Sequence, residues 1–137
     1  MRKIAVALSK GGVGKTTTAI SLAGGLARAG QRVLLVDMDT QGQVAKALGL
    51  GPQAGVAEMV MNDLAPEQVV VEARERIWLL AGGRTLAGLK RVIARQDFGG
   101  ERTLAEALAP LDGEYDVALV DTAPAWDTLT VNALFYA

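Results

Sequence analysis

The stretch Ser9-Lys10-Gly11-Gly12-Val13-Gly14-Lys15-Thr16-Thr17 decides how the rest of the chain is read. It follows a short β-type run, residues 3–8, and precedes residues 15–29, where the apolar pattern turns helical. Ile20, Leu22, Ala23 and Leu26 offer that helix a buried face, and Gly30 a C-terminal stop. A loop of this kind carries chemistry because Gly11, Gly12 and Gly14 have no Cβ. The main chain there is free to take positive φ and approach an anion closely. The loop N–H groups and the helix N-terminus together form an anion site. Lys15 is placed to reach the β and γ phosphates of a nucleotide, and Thr16 to ligate magnesium. The competing reading is a glycine-rich turn with no ligand.

The strict pattern G-x-x-x-x-G-K-[ST] fails at its first position, which is Ser9, and a lysine just before the paired glycines replaces it. Lysine usage favours the phosphate reading. The chain has nine arginines and five lysines, yet two of the lysines fall in this loop. A slim ammonium enters a glycine cradle where a guanidinium fork does not.

Outward from the loop, residues 33–36 form a continuous apolar strand that runs into Asp37-Met38-Asp39. Unbroken rather than alternating hydrophobicity implies a strand covered on both faces, hence a parallel sheet. Strand, helix and strand within the first 36 residues make a βαβ unit. Short helices are expected at 43–48 and 56–61, a strand at 77–80 ended by Gly82-Gly83, and helices at 85–95 and 103–109. A second buried strand, 117–120, runs into Asp121, and a last helix covers 127–136. The fold class that follows is α/β, a P-loop three-layer sandwich with a mostly parallel sheet between helices, in one domain over 1–137. Leu134-Phe135-Tyr136 forms an uncapped apolar finish, which leads us to expect an N-terminal portion of a longer domain.

In open parallel sheets ligands bind outside the carboxyl ends of the strands. Asp37, Asp39 and Asp121 all lie there, whereas Asp116 lies at the opposite end of its strand. Asp121, after Val117-Ala118-Leu119-Val120, fits a Walker B acid that holds magnesium directly or through water. Asp39 is a candidate to position and polarise the attacking water. Asp37 is a strand-end acid supporting loop geometry or the metal shell.

Composition narrows the chemistry further. The 137 residues contain neither cysteine nor histidine. That removes disulfides, thiol nucleophiles, cysteine-held metals and the Ser-His-Asp machinery. Carboxylates, lysines, hydroxyls, backbone amides and a hard cation remain, a set suited to phosphate chemistry. Net charge is −1 and the pI near 5.4, so any contact with nucleic acid must come from a local patch. The apolar run at 4–8 is too short for a signal peptide or a membrane span, which points to a cytoplasmic protein with no membrane contact.

These motifs together resemble the ParA/MinD family of deviant Walker A ATPases, and within it the Soj-like chromosome and plasmid partition proteins. Three stretches carry the resemblance: Lys10 to Thr17, Val36-Asp37-Met38-Asp39-Thr40-Gln41-Gly42, and Tyr115 to Pro124. The resemblance implies ATP and magnesium as cofactors, with Gly11, Gly12, Val13, Gly14, Lys15, Thr16 and Thr17 around the nucleotide. It implies catalytic roles for Lys10, Lys15 and Asp39, and a metal site at Thr16 and Asp121. Lys10 would be the signature lysine that reaches the partner's ATP in a sandwich dimer. Asp39 would lie in switch I and Asp121 would begin switch II. The implied cycle is ATP-dependent homodimerisation, binding of non-specific DNA on the nucleoid, then hydrolysis stimulated by a ParB-like partner.

The chain departs from the family pattern at three places. Thr40 and Gln43 stand where switch I usually has proline and asparagine, and Ala123 where switch II has a first proline. Two further functions compete: a metabolic ATP-dependent amidase or synthetase of the cobyrinic acid or dethiobiotin type, and a MinD-like division-site ATPase. The terminal apolar residues lack the basic polar face a membrane-binding helix needs. On a helix over 84–95, Arg84, Arg91 and Arg95 fall within roughly 40° of one another, either a DNA-backbone contact or a solvated face. Trp78 and Trp126 are expected in core or interface positions rather than in base stacking.

Overall fold

The computed structural model describes residues 1–7 and 14–137. A five-stranded sheet has the order β1-β5-β2-β4-β3, with β1 Arg2–Val6, β2 Val33–Met38, β3 Val71–Arg74, β4 Ile77–Leu80 and β5 Val117–Thr122. The pairs β1·β5, β5·β2 and β2·β4 are parallel, and β3 closes the far edge antiparallel to β4.

Every residue of β2 and of β5 is buried, as their continuous apolar runs require. Alternation along the strands then sorts side chains between two cores. Val33, Leu35, Leu79, Val117 and Leu119 face α1 (Lys15–Arg28) and α2 (Gln43–Ala47). Leu34, Val36, Leu80, Ala118 and Val120 face the other side. There they meet α3 (Val56–Met61), α4 (Pro66–Val69), α5 (Leu86–Ala94), α6 (Thr103–Leu108) and α7 (Thr128–Tyr136). The layers are helix, sheet, helix, as the sequence predicts.

The helix that carries the phosphate loop ends as expected. Gly30, at φ 90°, donates its N–H to Ala27 O, and Gln31 donates to Leu26 O, the paired bonds of a Schellman motif. Its buried face differs from the expected one. Lys15, Ala19 and Ala23 form the sheet-facing line, while Leu22 is 39 % exposed. Small residues at every fourth position let the helix sit close to β2 and β5, and Leu22 is turned about 100° from that line. Gly24 and Gly25 lie on the same helix; a Cβ at Gly25 would meet nothing within 4 Å, so close packing does not account for it.

Three features have no counterpart in the sequence reading. Strand β3 pairs with β4 through a turn at Glu75-Arg76, where Arg76 takes φ 63° without being glycine or asparagine. Helix α4 is a single turn after Pro66. Asn132, fully buried in α7, accepts from Leu104 N and donates to Gly100 O and Thr128 O, tying α7 to the start of α6. The tryptophans divide. Trp78 packs edge-on against Tyr115 beside the core, with ring centroids 5.5 Å apart. Trp126 is 71 % exposed, so of the two expected positions the core is excluded for it.

Candidate functional site

Helix α1 starts at the carboxyl end of the sheet, with Gly14 as its N-cap at φ 75°, the left-handed conformation that glycine accepts freely. Lys10, Gly11, Gly12 and Val13 lie outside the described residues. Lys15 is nevertheless placed clearly: it is buried, and its Nζ is hydrogen-bonded to Asp121 Oδ1. Thr16 Oγ1 donates to Asp121 Oδ2 at 2.7 Å. Thr17 is exposed on the outer side of the first turn. The structure thus brings Lys15, Thr16 and Asp121 together from positions over a hundred residues apart. Asp121 is the fifth residue of β5 rather than the residue after it, since the strand continues to Thr122. Thr122 Oγ1 donates to Val6 O at 3.0 Å and fixes that strand end against β1.

The hydroxyl of Thr16 and the carboxylate of Asp121 are hard oxygen donors. Two cis ligands of an octahedral magnesium ion lie about 2.9 Å apart, given bonds of about 2.05 Å. The observed 2.7 Å between Thr16 Oγ1 and Asp121 Oδ2 fits that edge. Among the described residues no group of three or more acidic, histidine or cysteine side chains converges as a cage. A cation here would complete its shell with phosphate and water, as magnesium commonly does.

The second strand supplies two more acids. Asp37 sits inside β2, in register with Asp121, and has no solvent exposure. Its Oδ1 accepts Asp39 N at 2.9 Å, so it shapes the loop, while its Oδ2 is buried with no partner among the described residues. Burial pushes the Asp37 carboxyl up to about 7; the N–H groups of Asp39 and Val44 oppose this, and the charges of Asp121 and Asp39 add to it. Asp39 is also buried, and its Oδ1 accepts Gln41 N at 2.9 Å. Its main-chain carbonyl accepts two N–H groups, from Gly42 and Gly83, both at 3.1 Å.

Gly83 and its neighbour Gly82, which the motif reading passes over as a strand terminator, shape the loop that carries Asp39. A Cβ on Gly82 would stand 2.5 Å from Asp37 O and 2.8 Å from Asp39 O. Only glycine lets the loop after β4 press against the loop after β2. The available signal was a Gly-Gly pair at the carboxyl end of a parallel strand.

The arginine patch is partly dispersed. Arg84, Arg91 and Arg95 are all exposed, but Arg84 precedes α5 and lines a cleft beside Thr40–Gly42, so it belongs to a different surface from the other two. Lys90 on α5 pairs with Asp127, which also caps α7 through Leu129 N and Thr130 N.

A family model described as an AAA domain, of the ParA/MinD type, matches residues 1–137. The chain is similar to the chromosome-partitioning ATPase Soj of Thermus thermophilus, 42 % identical over 134 residues, covering 98 % of this chain and 51 % of Soj. It is 41 % identical over 138 residues to the chromosome partitioning protein ParA of Myxococcus xanthus, covering 97 % and 48 %. Among solved structures, a cobyrinic acid a,c-diamide synthase from Mycobacterium smegmatis, with bound ATP analog and magnesium, superposes with TM-score 0.94. It is 40 % identical, over 100 % of this chain and 57 % of that one. A plasmid partition protein from Borrelia burgdorferi superposes with TM-score 0.87 at 28 % identity, over 99 % and 61 %. The chain spans about half the length of the curated relatives it matches.

Proposed function

The chain belongs to the AAA-domain family of the ParA/MinD type, and from that premise we propose that it is the nucleotide-binding part of a partition ATPase. In this reading it binds ATP with magnesium and switches between monomer and homodimer on the nucleoid, with non-specific DNA and a ParB-like activator as partners. One observation carries the proposal: Lys15 and Thr16, at the start of the helix that follows the glycine loop, converge on Asp121 at the carboxyl end of a buried strand. That trio supplies a phosphate-seeking cation and two hard oxygens for magnesium. A bound magnesium ion would offset the negative charge on the phosphates.

The remaining roles belong to this chain's own groups. Lys15 holds phosphate oxygens. Asp39, its main chain fixed by Gly42 and Gly83, orients the attacking water. Gly11, Gly12, Val13, Gly14 and Thr17 line the phosphates, and Lys10 reaches across to the second subunit.

The Mycobacterium smegmatis neighbour favours a second reading, an ATP-dependent amidase. Light scattering with magnesium and ATP, then with ADP, on the chain and on Lys10→Ala tests the first. Dimers with ATP alone, lost in the variant, support the switch. Amide formation from cobyrinic acid and glutamine, with no dimer in any nucleotide, would establish the second.

A further inference from the structure

A cleft of about 590 Å3 opens beside the candidate site, between the loop after β2 and the loop after β4. Among the described residues its lining includes Thr40–Gly42 and Gly82–Thr85 but not Lys15, Thr16 or Asp121. Lys46 on α2 and Arg84 after β4 both line it. Neither is in an ion pair among the described residues. The one carboxylate in the lining, Glu58, is engaged within the protein: it accepts Gly55 N at 2.8 Å and is hydrogen-bonded by Thr85. Leu50, Pro52 and Ala45 add apolar lining to the cleft. Two cations in a cleft that is also lined by apolar side chains suit an organic anion better than a bare ion.

We propose that this cleft is a second ligand site, for a small organic anion with carboxylate or phosphate groups, whose binding is felt at Asp39. The route is short. An anion held by Lys46 and Arg84 ties the loop after β2 to the loop after β4. Those are the two loops whose Gly42 and Gly83 N–H groups meet at Asp39 O. Gly82, in van der Waals contact with Asp37 and Asp39, leaves no slack between them. Occupancy therefore bears on the residue assigned to the attacking water, and this second half of the proposal rests on the ATPase reading above.

The test is amide-resolved heteronuclear NMR of the chain, titrated with glutarate and, separately, with glycerophosphate, against sodium chloride at matched ionic strength. A saturable shift at Gly42, Lys46 and Gly83 with either anion is expected, with the Asp39 amide moving at the same midpoint. Lys46→Ala and Arg84→Ala should each weaken binding about tenfold, the usual worth of a charge-assisted contact. Glutarate alone, glycerophosphate alone or both would support the site and say which head group it takes. Shifts that only track salt, shifts centred on Lys15 and Thr16, a silent Asp39, or unchanged affinity in the double variant would each overturn it. A parallel titration with magnesium and ATP reads the phosphate cradle at Lys15 and Thr16, so failure of the nucleotide reading is seen separately.

Discussion

Asp37 on β2 and Asp121 on β5 occupy matched register positions of neighbouring parallel strands, both without solvent exposure, and among the described residues only Asp121 is met by a cation. Two buried carboxylates side by side repel, and each also loses hydration. Lys15 and Thr16 compensate Asp121. Asp37 has two opposing N–H groups and an orphaned oxygen, and the result is its raised affinity for a proton.

The first prediction concerns pH. Asp37 ordinarily titrates near 3.8, and in the folded chain near 7. Between those values the folded state holds a proton that the unfolded state has lost, so this group makes stability fall as pH rises. The fall spans about pH 4 to 7, at up to about 1.4 kcal/mol per pH unit, and stops above it. Urea midpoints measured across that range should decline in the native chain more than in Asp37→Asn. Equal slopes in the two proteins would refute the assignment.

The second concerns the ion pair. Lys15→Met leaves Asp121 buried beside Asp37 without its cation, and should cost about 3 kcal/mol of stability. Adding Asp121→Asn should recover much of that loss, because the charge left behind is removed with it. Chemical denaturation of the two single variants and the double gives the coupling directly. Strictly additive losses would mean the pair is not coupled in solution.

Glycines separate into two groups with opposite expectations. Gly25→Ala in α1 meets nothing within 4 Å and has ordinary helical φ, so it should stabilise the chain by about 1 kcal/mol. Gly82→Ala drives a Cβ into the Asp37 and Asp39 carbonyls and should destabilise by about 1–3 kcal/mol. Thermal unfolding of both variants checks the signs, and a neutral Gly82→Ala would contradict the close approach of the two loops.

Asn132→Leu strips partners from Leu104 N and Gly100 O inside the core. A loss of about 2–3 kcal/mol is expected, with the greatest rise in amide exchange at the start of α6. Uniform exchange across the chain would show that the residue does not act locally.

The sandwich and the phosphate loop were legible in the sequence for physical reasons. Doubly covered strands are read from unbroken apolar runs, and β2 and β5 each open on one, at 33–36 and 117–120. Their acids were legible too, because the run of apolar residues stops where the ligand face begins. Strand β3 was hidden: its turn uses Arg76 at positive φ, where a glycine or asparagine would have announced it. On α1 Ala23 was foreseen, but Leu22 was misjudged and Ala19 missed, because large apolar residues draw attention whereas small ones make the sheet contact. The partnership of Asp39 with Gly83 was out of reach, since it joins main-chain atoms, whose contacts leave no side-chain signature.

Among the described residues β1 is paired on one flank only, by β5. Its other flank presents a row of main-chain donors and acceptors to whatever molecule drifts alongside. In a concentrated stock the neighbouring molecules are copies of the same chain, so slow gelling or clouding during storage would start along Arg2–Val6. Arg2 and Lys3 put positive charge at one end of the stripe, and added salt would screen it. Shelf life is therefore best protected by low salt and dilution, even for variants whose melting point has been raised elsewhere.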